Sequence, residues 1–115
     1  DAVPAGQYGK AALTSLGVWP TVERNVAQTE NARAALALVA SGEAPFGIVF
    51  GSDAIAGAGS VTVVGTFPAD SHPAIVYCGA VTTDAHTPAA RALLDRLSSP
   101  EARAVLAAQG FVPLD

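Results

Sequence analysis

A chain of 115 residues, half of them hydrophobic, can enclose one core and not two. With 14% charged residues, 6 scattered Lys and Arg and a formal net charge of -4, it carries no clustered basic surface for nucleic acid. The single cysteine, Cys78, excludes an internal disulfide and a Cys/His metal motif, and every apolar stretch falls short of the roughly 18 residues of a membrane span.

No charged n-region with an apolar h-region opens the sequence, and Asp1-Ala2-Val3-Pro4-Ala5-Gly6 reads as the run-up to a helix. The numbering is therefore expected to begin inside a longer protein. Pro4 suits a first helical turn, where its missing N–H costs nothing, and Tyr8, Ala12 and Leu16 repeat at helical spacing until Gly17. This predicts a helix over 5–16. Gly17-Val18-Trp19-Pro20 is turn-like, and the weak alternation of Val22 and Val26 predicts a short strand over 21–28. Asn31 is a good N-cap for a second helix, with Ala32, Ala35, Leu36 and Val39 on one apolar face running to Gly42.

The run 46–50 is wholly apolar between Pro45 and Gly51, the pattern of a strand buried on both faces. Ser52 and Asp53 can cap a brief helical turn just beyond it. After the turn Gly57-Ala58-Gly59, the β-branched runs 61–66 and 74–81 read as two more strands, separated by the polar loop 68–73. Thr87-Pro88 and Ser99-Pro100 each set a hydroxyl N-cap before an N1 proline, and Gly110 closes the second segment, so two tail helices follow. Their apolar faces, Ala90, Leu93, Leu94 and Leu97 on one and Ala102, Val105 and Leu106 on the other, each require something to pack against. The fold class is α/β: a mixed sheet from 46–50, 61–66 and 74–81, flanked by the first two helices, with two C-terminal helices outside it.

Asp70-Ser71-His72 has the residue types of a catalytic triad, but neighbours in sequence cannot aim at one another as nucleophile, base and orienter must. A capped loop entering the strand at Ala74 is the better account, and no enzyme is expected. His72 and His86 lack the spacing of a metal pair, so no cation site is expected. Gly57-Ala58-Gly59 lacks a third glycine and precedes a strand, which disfavours a dinucleotide loop. Cys78, beside Tyr77 and with neither Lys nor Arg near it in sequence, reads as a small core residue rather than a thiolate. More promising are the helix starts at Pro4-Ala5-Gly6 and Asn31-Ala32. Their first-turn N–H groups and partial positive charge can hold an anion without Lys or Arg if the two converge.

Val3-Pro4-Ala5-Gly6-x-Tyr8-x-Lys10-x-Ala12-Leu13 and Leu16-Gly17-x-Trp19 open a longer pattern. It continues through Glu30-Asn31-Ala32-Arg33-x-Ala35-Leu36-x-Leu38-Val39, Gly42-Glu43-Ala44, Gly47-Ile48-Val49-Phe50-Gly51-Ser52-Asp53-Ala54 and Thr66-Phe67-Pro68-x-Asp70-Ser71-His72-Pro73. The tail contributes Ser99-Pro100-Glu101-Ala102 through Gly110-Phe111. Across essentially the whole chain this resembles the second lobe and C-terminal tail of the molybdate-binding periplasmic proteins, type II solute-binding proteins of ABC importers.

The resemblance implies a second-lobe α/β region over 1–82, incomplete at its start, and a helical tail over 83–115 that packs on a first lobe lying before Asp1. It implies a molybdate or tungstate oxyanion held between lobes by neutral donors, an ABC permease as partner, a periplasmic location and no cofactor. The family's two second-lobe amide donors fall on Ala5 and Ala32, and its tyrosine falls on Phe50, which has no hydroxyl. The alternatives are another oxyanion such as sulfate, or a regulatory or structural lobe without transport. Without a first lobe, the faces at Leu93, Leu97 and Val105 are uncovered, and self-association is expected.

Overall fold

The structure, a computed structural model, describes residues 3–114; Asp1 and Ala2 of the expected helix run-up, and Asp115, lie outside the described residues. Two compact units form, one reaching to Ala74 and the other running from Ile75.

In the first unit, α1 spans Pro4–Ser15 with proline in its first turn. Its buried residues are Ala5, Gly9 and Ala12. Leu16, expected on this face, is 48% exposed. Tyr8 is half-buried and Ala12 buried, as the spacing predicts, so Leu16 alone departs from the face. The smallest residue, Gly9, makes the closest approach: a Cβ there would lie 3.0 Å from Ile48 Cγ2, so a larger residue would have to displace that side chain. Gly17 ends the helix at φ 73°, with Gly17 N–H donating to Thr14 O and Val18 N–H to Leu13 O, the paired bonds of a Schellman stop.

The expected strand at 21–28 is corrected. Trp19–Val22 forms one helical turn, α2, and Glu23–Asn25 a 3-10 turn. Pro20 pre-sets a helical φ in the first turn of α2, and Lys10 Nζ sits 4.9 Å from the centre of the Trp19 ring, a cation–π contact that ties the turn to α1.

Helix α3, Ala32–Ala40, begins where Asn31 predicts: the Asn31 side chain accepts the Ala34 N–H at 2.8 Å. Replacing Asn31 with alanine is expected to cost about 1 kcal/mol of stability, read as a lower urea midpoint at unchanged slope. Ala32, Ala35, Leu36 and Val39 are all half-buried, as their spacing predicts. They face α4, Gly51–Ala56, where Gly57 lies against Leu36, and the preceding segment, where a Cβ on Gly47 would meet Val39 Cγ2 at 2.8 Å.

The expected sheet does not form among the described residues. Segments 46–50, 61–66 and 74–81 carry no ladder, and the β pairing that does occur there is an isolated bridge between Ala58 and Val61. Phe46 is 75% exposed and Val64 81%, so the faces that should be covered are open. β-branched runs fit a pleated, half-buried surface, and without a neighbouring strand that preference has nothing to act on.

In the second unit, α5, Pro88–Leu97, and α6, Pro100–Ala108, pack on each other and are bridged by Arg96 and Glu101 at 3.3 Å. Ser99 caps α6 by accepting the Ala102 N–H, whereas Thr87 stands at the N-cap of α5 with no side-chain bond, a partial correction of the paired device. Gly110 repeats the Schellman stop, with Phe111 N–H donating to Leu106 O. Tyr77 meets Phe111 edge to face at 5.9 Å. Cys78 is exposed rather than a core residue, because the run that should bury it has no sheet neighbour. No described residue of this unit is buried, and Leu93, Leu97 and Val105 are 63%, 50% and 64% exposed.

The accessible surface is 8519 Å². Two separate compact units of these lengths would expose roughly 6,900 Å². The total surface is thus larger than compact units would show, and large hydrophobics such as Phe46, Val64 and Val112 are among the residues left open.

Candidate functional site

The candidate site lies in the first unit, at the starts of α1, α3 and α4. Ala5 is the second residue of α1 and 8% exposed. The α1 ladder opens with Gln7 N–H donating to Val3 O at 3.0 Å, and Val3 supplies no side-chain cap. The amides of Ala5 and Gly6 therefore stand ahead of the ladder.

Ala32 is the first residue of α3. The Asn31 side chain takes the Ala34 N–H and the Asn31 carbonyl takes the Ala35 N–H at 3.2 Å, which puts the amides of Ala32 and Arg33 ahead of the ladder in the same way. Thr29 Oγ1 donates to the Asn31 carbonyl at 2.9 Å and steadies this entry. Both helix starts thus present N–H donors with the positive end of a helix dipole behind them.

Phe50 is half-buried at the N-cap of α4. Its carbonyl accepts the amides of Asp53 and Ala54 at 3.0 and 3.1 Å, and its own N–H donates to Asp53 Oδ2 at 3.4 Å. Asp53 Oδ1 lies 3.9 Å from Arg33 Nε. One carboxylate therefore links residue 50 to the residue beside Ala32. The link joins positions 20 apart in sequence, so periodicity could not reveal it; Asp53 three residues after the N-cap was the one visible hint. Ala5 connects through α1, whose Gly9 rests on Ile48, two residues before Phe50.

Beside this arrangement, a shallow groove of ≈ 320 Å³ runs between α3 and α4, with Arg33 and Asp53 at its polar part and Leu36, Ala37 and Ala40 along its apolar wall.

The Asp70-Ser71-His72 run is a 3-10 turn at Ala69–Ser71. Ser71, 6% exposed, donates its hydroxyl to Pro68 O at 2.6 Å, while His72 Nδ1 pairs with Pro73 O at 2.9 Å and its ring meets Tyr8 edge-on at 6.1 Å. Neither side chain is aimed at the other, so a nucleophile and its base are not assembled here. Among the described residues no group of three or more His, Cys, Asp or Glu side chains could hold a metal ion, and no helix is long and apolar enough to cross a membrane.

Residues 1–112 match the family model for the bacterial extracellular solute-binding protein. The chain is 47% identical over 109 residues to the molybdate-binding protein ModA of Escherichia coli (strain K12), covering 95% of this chain and 42% of that protein. It is 42% identical over 109 residues to the molybdate-binding protein ModA of Haemophilus influenzae (strain ATCC 51907 / DSM 11121 / KW20 / Rd), with the same coverage of 95% and 42%. It is 35% identical over 112 residues to the putative ABC transporter substrate-binding lipoprotein YvgL of Bacillus subtilis (strain 168), covering 96% of this chain and 43% of that protein. The chain thus spans less than half the length of these relatives. On a family match that runs nearly end to end, the chain belongs to the bacterial extracellular solute-binding proteins.

Proposed function

We propose that this chain is the second lobe and tail of the solute-binding component of an ABC importer, which captures molybdate or tungstate in the periplasm. The observation that carries the reading is the 47% identity, over 95% of the chain, to a protein named for binding molybdate. The two helix starts support it, since an acidic chain with few cations needs oriented amides to hold a dianion.

The donors assigned here are the amides of Ala5 and Ala32, with residue 50 as the third wall. Because both donors are backbone groups, the alanine side chains do not decide the chemistry; cleft size sorts tetrahedral anions by radius. Residues 1–82 form the ligand-binding region, in which 46–50, 61–66 and 74–81 pair as a mixed sheet when the remainder of the lobe is present. Residues 83–115 pack on the first lobe. Lobe closure around the anion makes the closed form recognisable to the permease, and the ligand favours closure only by its greater affinity for that state. No bond is made or broken, and no cofactor takes part.

Phe50 favours a second reading, since a family tyrosine is missing: the ligand is another oxyanion such as sulfate, or the lobe serves regulation or architecture instead of transport. Calorimetric titration of the full gene product that carries these residues, with molybdate and then sulfate, separates them. Tight molybdate binding without sulfate binding supports the importer reading; binding of sulfate alone, or of neither, rejects it.

The open faces of α5 and α6 give a further expected result. The isolated 115-residue chain associates at micromolar concentration through Leu93, Leu97 and Val105, and light scattering that returned a clean monomer would contradict this.

A further inference from the structure

We propose that Asp53 masks the charge of Arg33, keeping the anion site electrically neutral so that affinity is set by amide geometry rather than by net Coulomb attraction. This rests on the anion reading above and deepens it.

Arg33 follows Ala32, the assigned donor, and its side chain is 84% exposed. A guanidinium so placed, on a flexible stem and next to the anion's own ligand, could swing toward a dianion and add a full charge to its binding. Asp53 counters this. Its side chain is only 13% exposed, with Oδ1 3.9 Å from Arg33 Nε and Oδ2 accepting the Phe50 N–H at 3.4 Å. The carboxylate is thus held by the backbone on one side and offers its charge to Arg33 on the other. At 3.9 Å, with one partner so exposed, the pair adds little to stability. Its effect at longer range is different: plus and minus charges side by side at the edge of the site leave an approaching dianion almost no net field.

Two consequences distinguish masking from a merely structural bond. Binding becomes insensitive to salt, since a neutral site has no net charge to screen. The two partners also act in opposite directions, because removing the carboxylate exposes a cation and removing the guanidinium exposes an anion.

The test is calorimetric titration of the full gene product with molybdate at low and high salt, for wild type, Asp53→Asn, Arg33→Gln and the double variant. Asparagine keeps an oxygen to accept the Phe50 N–H, so the local fold is retained, and far-UV circular dichroism checks this. Asp53→Asn should tighten binding about fivefold at low salt, the order expected when one uncompensated unit charge acts on a dianion through a water-like dielectric. The gain should shrink at high salt. Arg33→Gln should weaken binding by a similar factor, and the double variant should return close to wild type. If both single variants weaken binding, or Asp53→Asn leaves it unchanged while wild type binds, masking is overturned and the anion reading stands. If wild type binds no molybdate, the anion reading falls and masking falls with it.

Discussion

Replacing Ala32 with proline should weaken molybdate binding roughly ten- to a hundredfold while α3 remains folded, the loss of one hydrogen bond to a charged ligand. The substitution removes a single atom of interest, the amide hydrogen. Ala32 is the first residue of α3, where proline is favoured because its φ is already helical and the N–H it lacks belongs to no intrahelical bond. Asn31 before it is extended, with φ -163° and ψ 170°, as the residue before a proline must be. The Asn31 cap on Ala34 does not involve the Ala32 amide and is left in place. Ala32→Val, which keeps the amide, serves as the control and should bind as wild type does. Unchanged affinity in the proline variant, with helix content intact by circular dichroism, would remove Ala32 from the donor set.

Phe50→Tyr is expected to act in the opposite direction, tightening molybdate binding by a comparable factor, about 1.5 to 3 kcal/mol for a hydroxyl donated to a charged acceptor. The backbone of residue 50 is fixed independently of its ring, by the bonds its carbonyl accepts from Asp53 and Ala54 and by its own N–H on Asp53. The added oxygen therefore arrives on a scaffold that does not have to move. A tyrosine variant no tighter than wild type would mean that water or another group already fills the position in the phenylalanine protein.

What could be read from the residues follows a physical division. The starts of α1, α3, α5 and α6 and the stops of α1, α3 and α6 are legible because their signals are local: Pro4, Asn31, Pro88 and Ser99-Pro100 at one end, Gly17, Gly42 and Gly110 at the other. The turn-like residues from Gly17 do mark a break, but the helical character of Trp19–Val22 is hidden, because Val22 and Val26 suggest a strand over a stretch that Pro20 opens as a helix. Sheet formation depends on what lies beside a strand, and 46–50, 61–66 and 74–81 have no ladder among the described residues. The exposure of Cys78 is illegible for the same reason, since its burial depends on that pairing. In the candidate site, the two helix starts were visible as sequence, whereas the Arg33–Asp53–Phe50 connection was not, because it exists only once α3 and α4 pack.

Segment 46–50 touches α1 through Ile48 on Gly9 and α3 through Gly47 on Val39. In both contacts a branched aliphatic side chain, Ile48 in one and Val39 in the other, lies against a glycine. A stiff side chain with few rotamers thus meets a residue that offers it only backbone, and the distance from the segment to each helix is gauged by one side chain. A methyl group added at position 47 would push against Val39, and trimming Ile48 or Val39 would let the segment settle closer to its helix. The span between the two helix starts is in this sense adjustable at single residues, without any change in the amides themselves.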